Sequence, residues 1–104
     1  MSDLLIIIPA YNEAENIERV VDRLTAEFPQ YDYVVVNDGS KDRTGEILRK
    51  RHYNYLELPV NLGLAGGFQA GMRYAHRKGY AYAVQLDGDG QHRPEYLEAM
   101  LNKM

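Results

Sequence analysis

An α/β fold, with a Rossmann-like, mainly parallel sheet and helices on both faces, follows from three features of this sequence. Residues 4–8 form an unbroken apolar run, the pattern of a strand buried on both faces rather than one. Strand-like and helix-periodic segments alternate along the chain, which implies parallel pairing and right-handed crossovers. Each polar or glycine-rich cluster directly follows a strand-like run, so the clusters are expected to share one rim of the sheet.

The first strand is expected over residues 4–8, broken by Pro9, with Asn12 capping a helix from Glu13 to about Phe28. Ile17, Val20, Val21 and Leu24 give that helix its apolar stripe, and Pro29 marks its stop. The second strand is expected over residues 33–36. Asn37-Asp38-Gly39-Ser40 is dense in turn formers, and Asp42 can cap a helix carrying Ile47 and Leu48 to about Arg51. A third, shorter strand over residues 53–58 ends in a glycine-rich stretch, residues 59–67, and a helix from about Ala65 to Lys78 follows. Gly79 is its expected stop, residues 82–86 form the fourth strand, and Pro94 falls near the first turn of a last helix. Tyr31/Tyr33, Tyr53/Tyr55 and Tyr80/Tyr82 open three strands at the edge opposite the carboxyl ends, where sheet-end packing explains them better than a binding surface. The expected strand order is 3-2-1-4, which puts the switch point between the first and fourth strands.

With 104 residues, 45% hydrophobic and 26% charged, the chain reads as one soluble globular domain with no linker and no low-complexity tract. It has no 18-residue apolar stretch and hence no membrane span. The run at residues 4–8 is too short for a signal segment and is preceded by Asp3. A formal charge of −3 gives no general attraction to nucleic acid. The pairs Lys50-Arg51 and Arg77-Lys78 read as basic helix ends that complement the helix dipole. The absence of cysteine excludes disulfides, thiolate metal sites and cysteine nucleophiles, and fits a reducing, cytoplasmic setting.

Chemistry concentrates in Asp87-Gly88-Asp89-Gly90-Gln91-His92, where an apolar strand ends in two carboxylates one residue apart. Facing a diphosphate, each carboxylate would cost roughly 3 to 4 kcal/mol per like-charge pair at about 5 Å and an effective dielectric near 20. A hard divalent cation between them reverses that sign, and magnesium or manganese binds in this manner through one or two carboxylates plus substrate phosphates. Asp87-Gly88-Asp89-Gly90 also reads as a solvated turn. A calcium loop is a third reading, with Asp87, Asp89 and Glu98 at its first, third and twelfth positions; Gln91 at the fifth, His92 where a glycine is needed, and Pro94 count against it.

The other clusters are each ambiguous alone. Neither G-x-x-x-x-G-K-[ST] nor G-x-G-x-x-G is present, which lowers kinase, ATPase and dehydrogenase readings. Gly66 and Gly67 either let a ligand approach backbone amides or serve close helix-to-sheet packing. Asp38 either accepts hydrogen bonds from a base or ribose or bonds its own turn amides, and Tyr11 offers an aromatic face or a hydroxyl. His52 and His76 sit in helix-end or helix-surface contexts and are assigned no role.

Taken together, Ile8-Pro9-Ala10-Tyr11-Asn12-Glu13, Val36-Asn37-Asp38-Gly39-Ser40-Lys41-Asp42-Arg43-Thr44, Asn61-Leu62-Gly63 and Asp87-Gly88-Asp89-Gly90-Gln91-His92 closely resemble the family 2 glycosyltransferases in order and spacing. The resemblance implies a GT-A fold, truncated, with residues 1–104 as the nucleotide-sugar-binding half of a catalytic domain. It implies that Pro9, Ala10, Tyr11, Glu13, Asp38 and Gly63, with Asp87, Gly88 and Asp89, line the site for a UDP- or GDP-sugar, Asp38 addressing the base. Asp87 and Asp89 match the family's Asp-x-Asp, Asp89 being the principal ligand to Mn2+ or Mg2+. Polyprenol-phosphate sugar transferases show a similar Asp-x-Asp-x-Gln-His run, which adds Gln91 to the metal ligands.

The family's acceptor site and catalytic base normally follow the helix after Asp-x-Asp, so neither is identifiable in this chain. The intact enzyme is expected to invert, a base deprotonating an acceptor hydroxyl or phosphate while the metal stabilises the departing diphosphate. These 104 residues alone are expected to be inactive. The other function class considered is a non-catalytic nucleotide-binding or self-assembling module, a homo-oligomer formed through surfaces that truncation exposes. Full-length protein is expected in the cytoplasm, at the cytoplasmic face of a membrane if it is membrane-associated.

Overall fold

The computed structural model describes residues 3–86, as four strands and three helices in strict alternation: β1 (Leu4–Ala10), α1 (Ile17–Glu27), β2 (Asp32–Asp38), α2 (Thr44–Lys50), β3 (Tyr55–Leu58), α3 (Gly63–Lys78) and β4 (Tyr82–Gln85). The strands form one parallel sheet in the order β3-β2-β1-β4, as the sequence pattern predicts.

Period-two geometry sends successive side chains to opposite faces, and β1 is apolar on both. Leu4, Ile6, Ile8 and Ala10 pack with Ile17, Val20, Val21 and Leu24 of α1 and with Leu48 of α2, whereas Leu5 and Ile7 pack with Val34, Val36 and Ala75 on the α3 side. The stripe expected of the first helix is thus the buried stripe of α1. The helix α3 lies close to the sheet because it carries glycine where it crosses β1: a Cβ on Gly71 would stand 2.5 Å from Ile7 Cγ2. Gly79, left-handed at φ 85°, ends α3 as expected.

Five boundaries differ from the sequence reading. Pro9 does not break β1, which continues to Ala10. Leu86 N–H donates to Ile7 O, so the odd residues of β1 turn their backbone groups towards β4. Pro9 falls beyond the last β1–β4 partner, Ile7↔Gln85, where a missing N–H costs no described ladder bond. Asn12 is not a helix cap: α1 begins at Ile17, and Asn12 is left-handed at φ 55°. Asn37 and Asp38 belong to β2 rather than a turn, held by the pairs Ala10↔Asn37 and Asp38↔Leu58. The third strand is confined to four residues, and α3 starts two residues earlier than expected. The helix expected around Pro94 lies outside the described residues.

At the far edge the tyrosines close the sheet. Tyr53 Oη donates to Asp22 Oδ1 at 2.7 Å, Tyr80 Oη donates to Asp32 Oδ2 at 2.7 Å, and Tyr33 Oη accepts the Asn54 amide at 3.3 Å. Arg51 joins the first of these, bonding both Asp22 oxygens at 3.0 and 2.9 Å and Glu18, so that α1 is tied to the end of α2.

Candidate functional site

Parallel strands deliver their following loops to one rim, and three such loops are described: residues 11–16, 39–43 and 59–62. β4 ends on the same rim, since Leu86 N donates to Ile7 O at 2.8 Å. The sequence-predicted residues Pro9, Ala10, Tyr11, Glu13, Asp38 and Gly63 all lie at the ends of β1 and β2, in the first loop, or at the start of α3. Asp87, Gly88, Asp89 and Gln91 follow Leu86 in sequence and lie outside the described residues.

Asp38 is the best-defined of these side chains. It ends β2 only 4% exposed, and its Oδ1 accepts the Leu62 amide at 2.7 Å. Its carbonyl accepts Asn61 Nδ2 at 3.2 Å, and Asn61 Oδ1 in turn accepts the Gly63 amide at 3.0 Å. A carboxylate from β2 thereby supplies the acceptor that the start of α3 lacks from its own side chains, where Leu62 makes no side-chain cap. Asp38 Oδ2 makes no hydrogen bond among the described residues. The alternative that Asp38 bonds its own turn is not what occurs: its partner lies on a loop 24 residues away.

Gly39 makes this approach possible. It is left-handed at φ 68°, and a Cβ there would meet Asn61 N at 2.5 Å and Val60 C at 2.6 Å. Gly63 is the opposite case: left-handed at φ 82°, with nothing within 4 Å of where a Cβ would stand. Tyr11 is 41% exposed at the mouth of the first loop. Glu13 accepts Asn16 Nδ2 at 3.2 Å through Oε2, and its carbonyl accepts the Asn16 and Ile17 amides, so it helps start α1.

Sequence reasoning missed how the first two loops are joined. The amides of Asn12, Glu13 and Ala14 donate to Ser40 Oγ, Thr44 Oγ1 and Asp42 Oδ2 at 3.0, 3.0 and 3.2 Å. In return Asn12 Oδ1 accepts the Lys41 and Asp42 amides at 2.9 and 3.4 Å. Asp42 Oδ1 also accepts the Thr44 amide at 2.9 Å and the Thr44 hydroxyl, which partly fulfils the capping role expected of it. Burial works to raise the Asp42 carboxyl, but the Thr44 and Ala14 hydrogen bonds outweigh it and hold Asp42 below its ordinary value. The signal was present in the sequence as the spacing Ser40-x-Asp42-x-Thr44, three short oxygen-bearing side chains on one loop.

A cleft of about 480 Å³ opens beside these loops, lined by Asn37, Gly39, Ser40, Lys41, Glu57, Leu58 and Pro59. None of these lining residues is among the site residues expected from sequence, although Asn37, Gly39, Ser40 and Lys41 belong to the polar cluster that follows the second strand. Among the described residues no group of three acidic or histidine side chains could hold a metal. The expected ligands fit a hard cation by the chemistry of their donor set, two carboxylates and an amide oxygen. No helix among the described residues is long and apolar enough to cross a membrane.

A family profile described as glycosyl transferase family 2 matches residues 5–104. Polyprenol monophosphomannose synthase of Mycolicibacterium smegmatis is 36% identical over 104 residues, covering 94% of this chain and 39% of that protein. Undecaprenyl-phosphate mannosyltransferase of Micrococcus luteus is 37% identical over 103 residues, covering 94% of this chain and 42% of that protein. The chain thus spans about two fifths of the length of these curated relatives. The crystal structure of S. aureus TarS 1-349 superimposes with a TM-score of 0.69 at 23% identity, over 98% of this chain and 32% of that one, a likeness of fold.

Proposed function

The chain belongs to glycosyl transferase family 2 and has an α/β, GT-A-type fold, and from that premise we propose that residues 1–104 form the nucleotide-sugar-binding half of a catalytic domain. The observation that carries the reading is the pinning of Asp38 at the rim, with one carboxylate oxygen spent on Leu62 and the other left over. In this reading Asp38 Oδ2 accepts an N–H of the base of a UDP- or GDP-sugar. Tyr11 offers its exposed ring to the nucleoside, Pro9, Ala10 and Glu13 shape the adjoining wall, and the open space over Gly63 admits the ligand.

Asp87, Asp89 and Gln91 would hold Mn2+ or Mg2+, with Gly88 leaving the backbone free to approach the diphosphate. When bound, the cation supplies charge stabilisation to the departing nucleotide diphosphate. The full-length protein would transfer the sugar with inversion to an acceptor hydroxyl or phosphate. The names of the two relatives support a polyprenyl phosphate as acceptor and mannose as sugar, hence work at the cytoplasmic face of a membrane.

Calorimetric titration of the chain with GDP-mannose and UDP-N-acetylglucosamine, each with and without manganese, tests this. Metal-dependent binding of one donor is expected. A folded sample that binds neither overturns the reading.

A further inference from the structure

We propose that Asn12 is a positioning residue for the nucleotide, acting through the second loop rather than by touching the ligand; this rests on the donor-binding reading above. Between β1 and α1, residues 11–16 have no ladder or helix of their own. The register fixes only their start, at Ala10↔Asn37. What fixes the rest is the reciprocal set of bonds in which three consecutive amides, 12 to 14, donate to Ser40, Thr44 and Asp42. Asn12 bonds in both directions, donating from its amide to Ser40 and accepting through its side chain from Lys41 and Asp42, and Asp42 answers it from the second loop, donating its amide to Asn12 and accepting the Ala14 amide.

Its left-handed φ of 55° is what turns the side chain back across the gap, and asparagine is among the few residues that adopt this conformation readily. Tyr11 and Glu13 flank Asn12, while Asp38 precedes the loop that Asn12 holds. The Asn12 side chain therefore supplies the return half of the link that sets the spacing between the two groups of residues that the nucleoside must touch together. Without it the loops still fold but sample several spacings, and binding must select the right one, which lowers affinity by the population of the competent state.

Three substitutions separate this from a general loss of stability. Asn12→Gly keeps the left-handed backbone at no steric cost and removes the acceptor. Asn12→Asp keeps an acceptor oxygen and tolerates the same φ. Ser40→Ala removes only the acceptor of the Asn12 amide. Titrations with GDP-mannose and UDP-N-acetylglucosamine in the presence of manganese are read beside the melting temperature of each variant.

Asn12→Gly is expected to weaken donor binding about tenfold, the effect of a competent state populated about one time in ten. Asn12→Asp is expected to bind within about twofold of the parent, and Ser40→Ala to weaken binding in the same direction as Asn12→Gly. Should Asn12→Gly not fold, Ser40→Ala decides the matter. Parental affinity in the folded variant that lacks the bond overturns the inference while leaving the donor-binding reading intact. A parent chain that binds neither donor overturns the reading itself, and this inference with it.

Discussion

The Asp38 carboxylate accepts the Leu62 amide at 2.7 Å, so one side chain at the end of β2 both begins α3 and faces the rim. Asp38→Ala removes the acceptor of the Leu62 amide at the start of α3, a loss of about 1 to 2 kcal/mol by analogy with helix-capping substitutions. Asp38→Asn retains an acceptor oxygen for Leu62 and should recover much of that stability. Neither variant presents a second free carboxylate oxygen to a base, so both should lose nucleotide binding. Thermal melting beside calorimetry separates the two roles, and normal donor binding by Asp38→Ala would remove Asp38 from the site.

Gly71 lies in the same helix, where α3 crosses Ile7. A methyl there would stand 2.5 Å from Ile7 Cγ2 and 3.0 Å from both Cδ1 and Cγ1, and Ile7 is fully buried with no room to turn aside. Overpacking of this kind costs typically about 1 to 3 kcal/mol. Gly71→Ala should therefore lower the urea midpoint without changing the slope. An unchanged midpoint would show that α3 can lift from the sheet at little cost.

These two residues show what was legible in the sequence. The two-faced core of β1, the alternation of elements, the strand order and the rim follow from hydrophobic period and turn chemistry, which are local signals. Asp38 was nominated, yet its partner was not, because Leu62 N is 24 residues away and a backbone amide leaves no trace in a residue pattern. Asn12 reads as a helix cap because it precedes an apolar stripe, the usual setting of a capping asparagine. Its use as a bridge depends on a second loop whose position only the sheet determines. Pro9 reads as a strand end because a sequence does not identify the neighbour that a proline would deprive of a hydrogen bond.

Acid should weaken the fold through two carboxylates. Asp22 is held below its ordinary 3.8 first by the Tyr53 hydroxyl and, against partial burial, by Arg51. Asp42 is held below the same value by Thr44 and Ala14, which outweigh its burial. A folded-state value below the unfolded one means a contribution present above about pH 3.8 and lost as pH falls through the lower, folded values. Melting temperature should fall over that window, and an Asp22→Asn/Asp42→Asn double variant should show a flatter acid limb. Identical acid limbs in parent and variant would assign the effect elsewhere.

At the alkaline end three tyrosine hydroxyls are raised, Tyr33, Tyr53 and Tyr80, burial being the first cause in each, and of these Tyr80 carries the prediction. Burial, then its hydrogen bond to Asp32, pushes its hydroxyl up from 10.0 to about 12. A raised folded value means stability fully present below pH 10.0 and lost as pH rises through about 12. Tyr80→Phe should lose this pH-dependent component. Tyrosinate absorbance should show one fewer late-titrating tyrosine, and an unaltered late titration would contradict the assignment.

The metal dependence expected of the rim rests on Asp89, and its variant discriminates between the chemistries open to that segment. If Asp89 bridges a cation to the diphosphate, Asp89→Ala should abolish the increment in donor affinity that manganese provides. The metal-independent part, owed to Asp38 and Tyr11, should survive. An uncompensated like-charge pair costs roughly 3 to 4 kcal/mol at about 5 Å and an effective dielectric near 20, so removing the cation should weaken binding on the order of a hundredfold. Tight calcium binding without any nucleotide, lost in the same variant, would instead identify Asp87, Asp89 and Glu98 as a calcium loop. A manganese response unchanged by Asp89→Ala would move the metal away from this segment altogether.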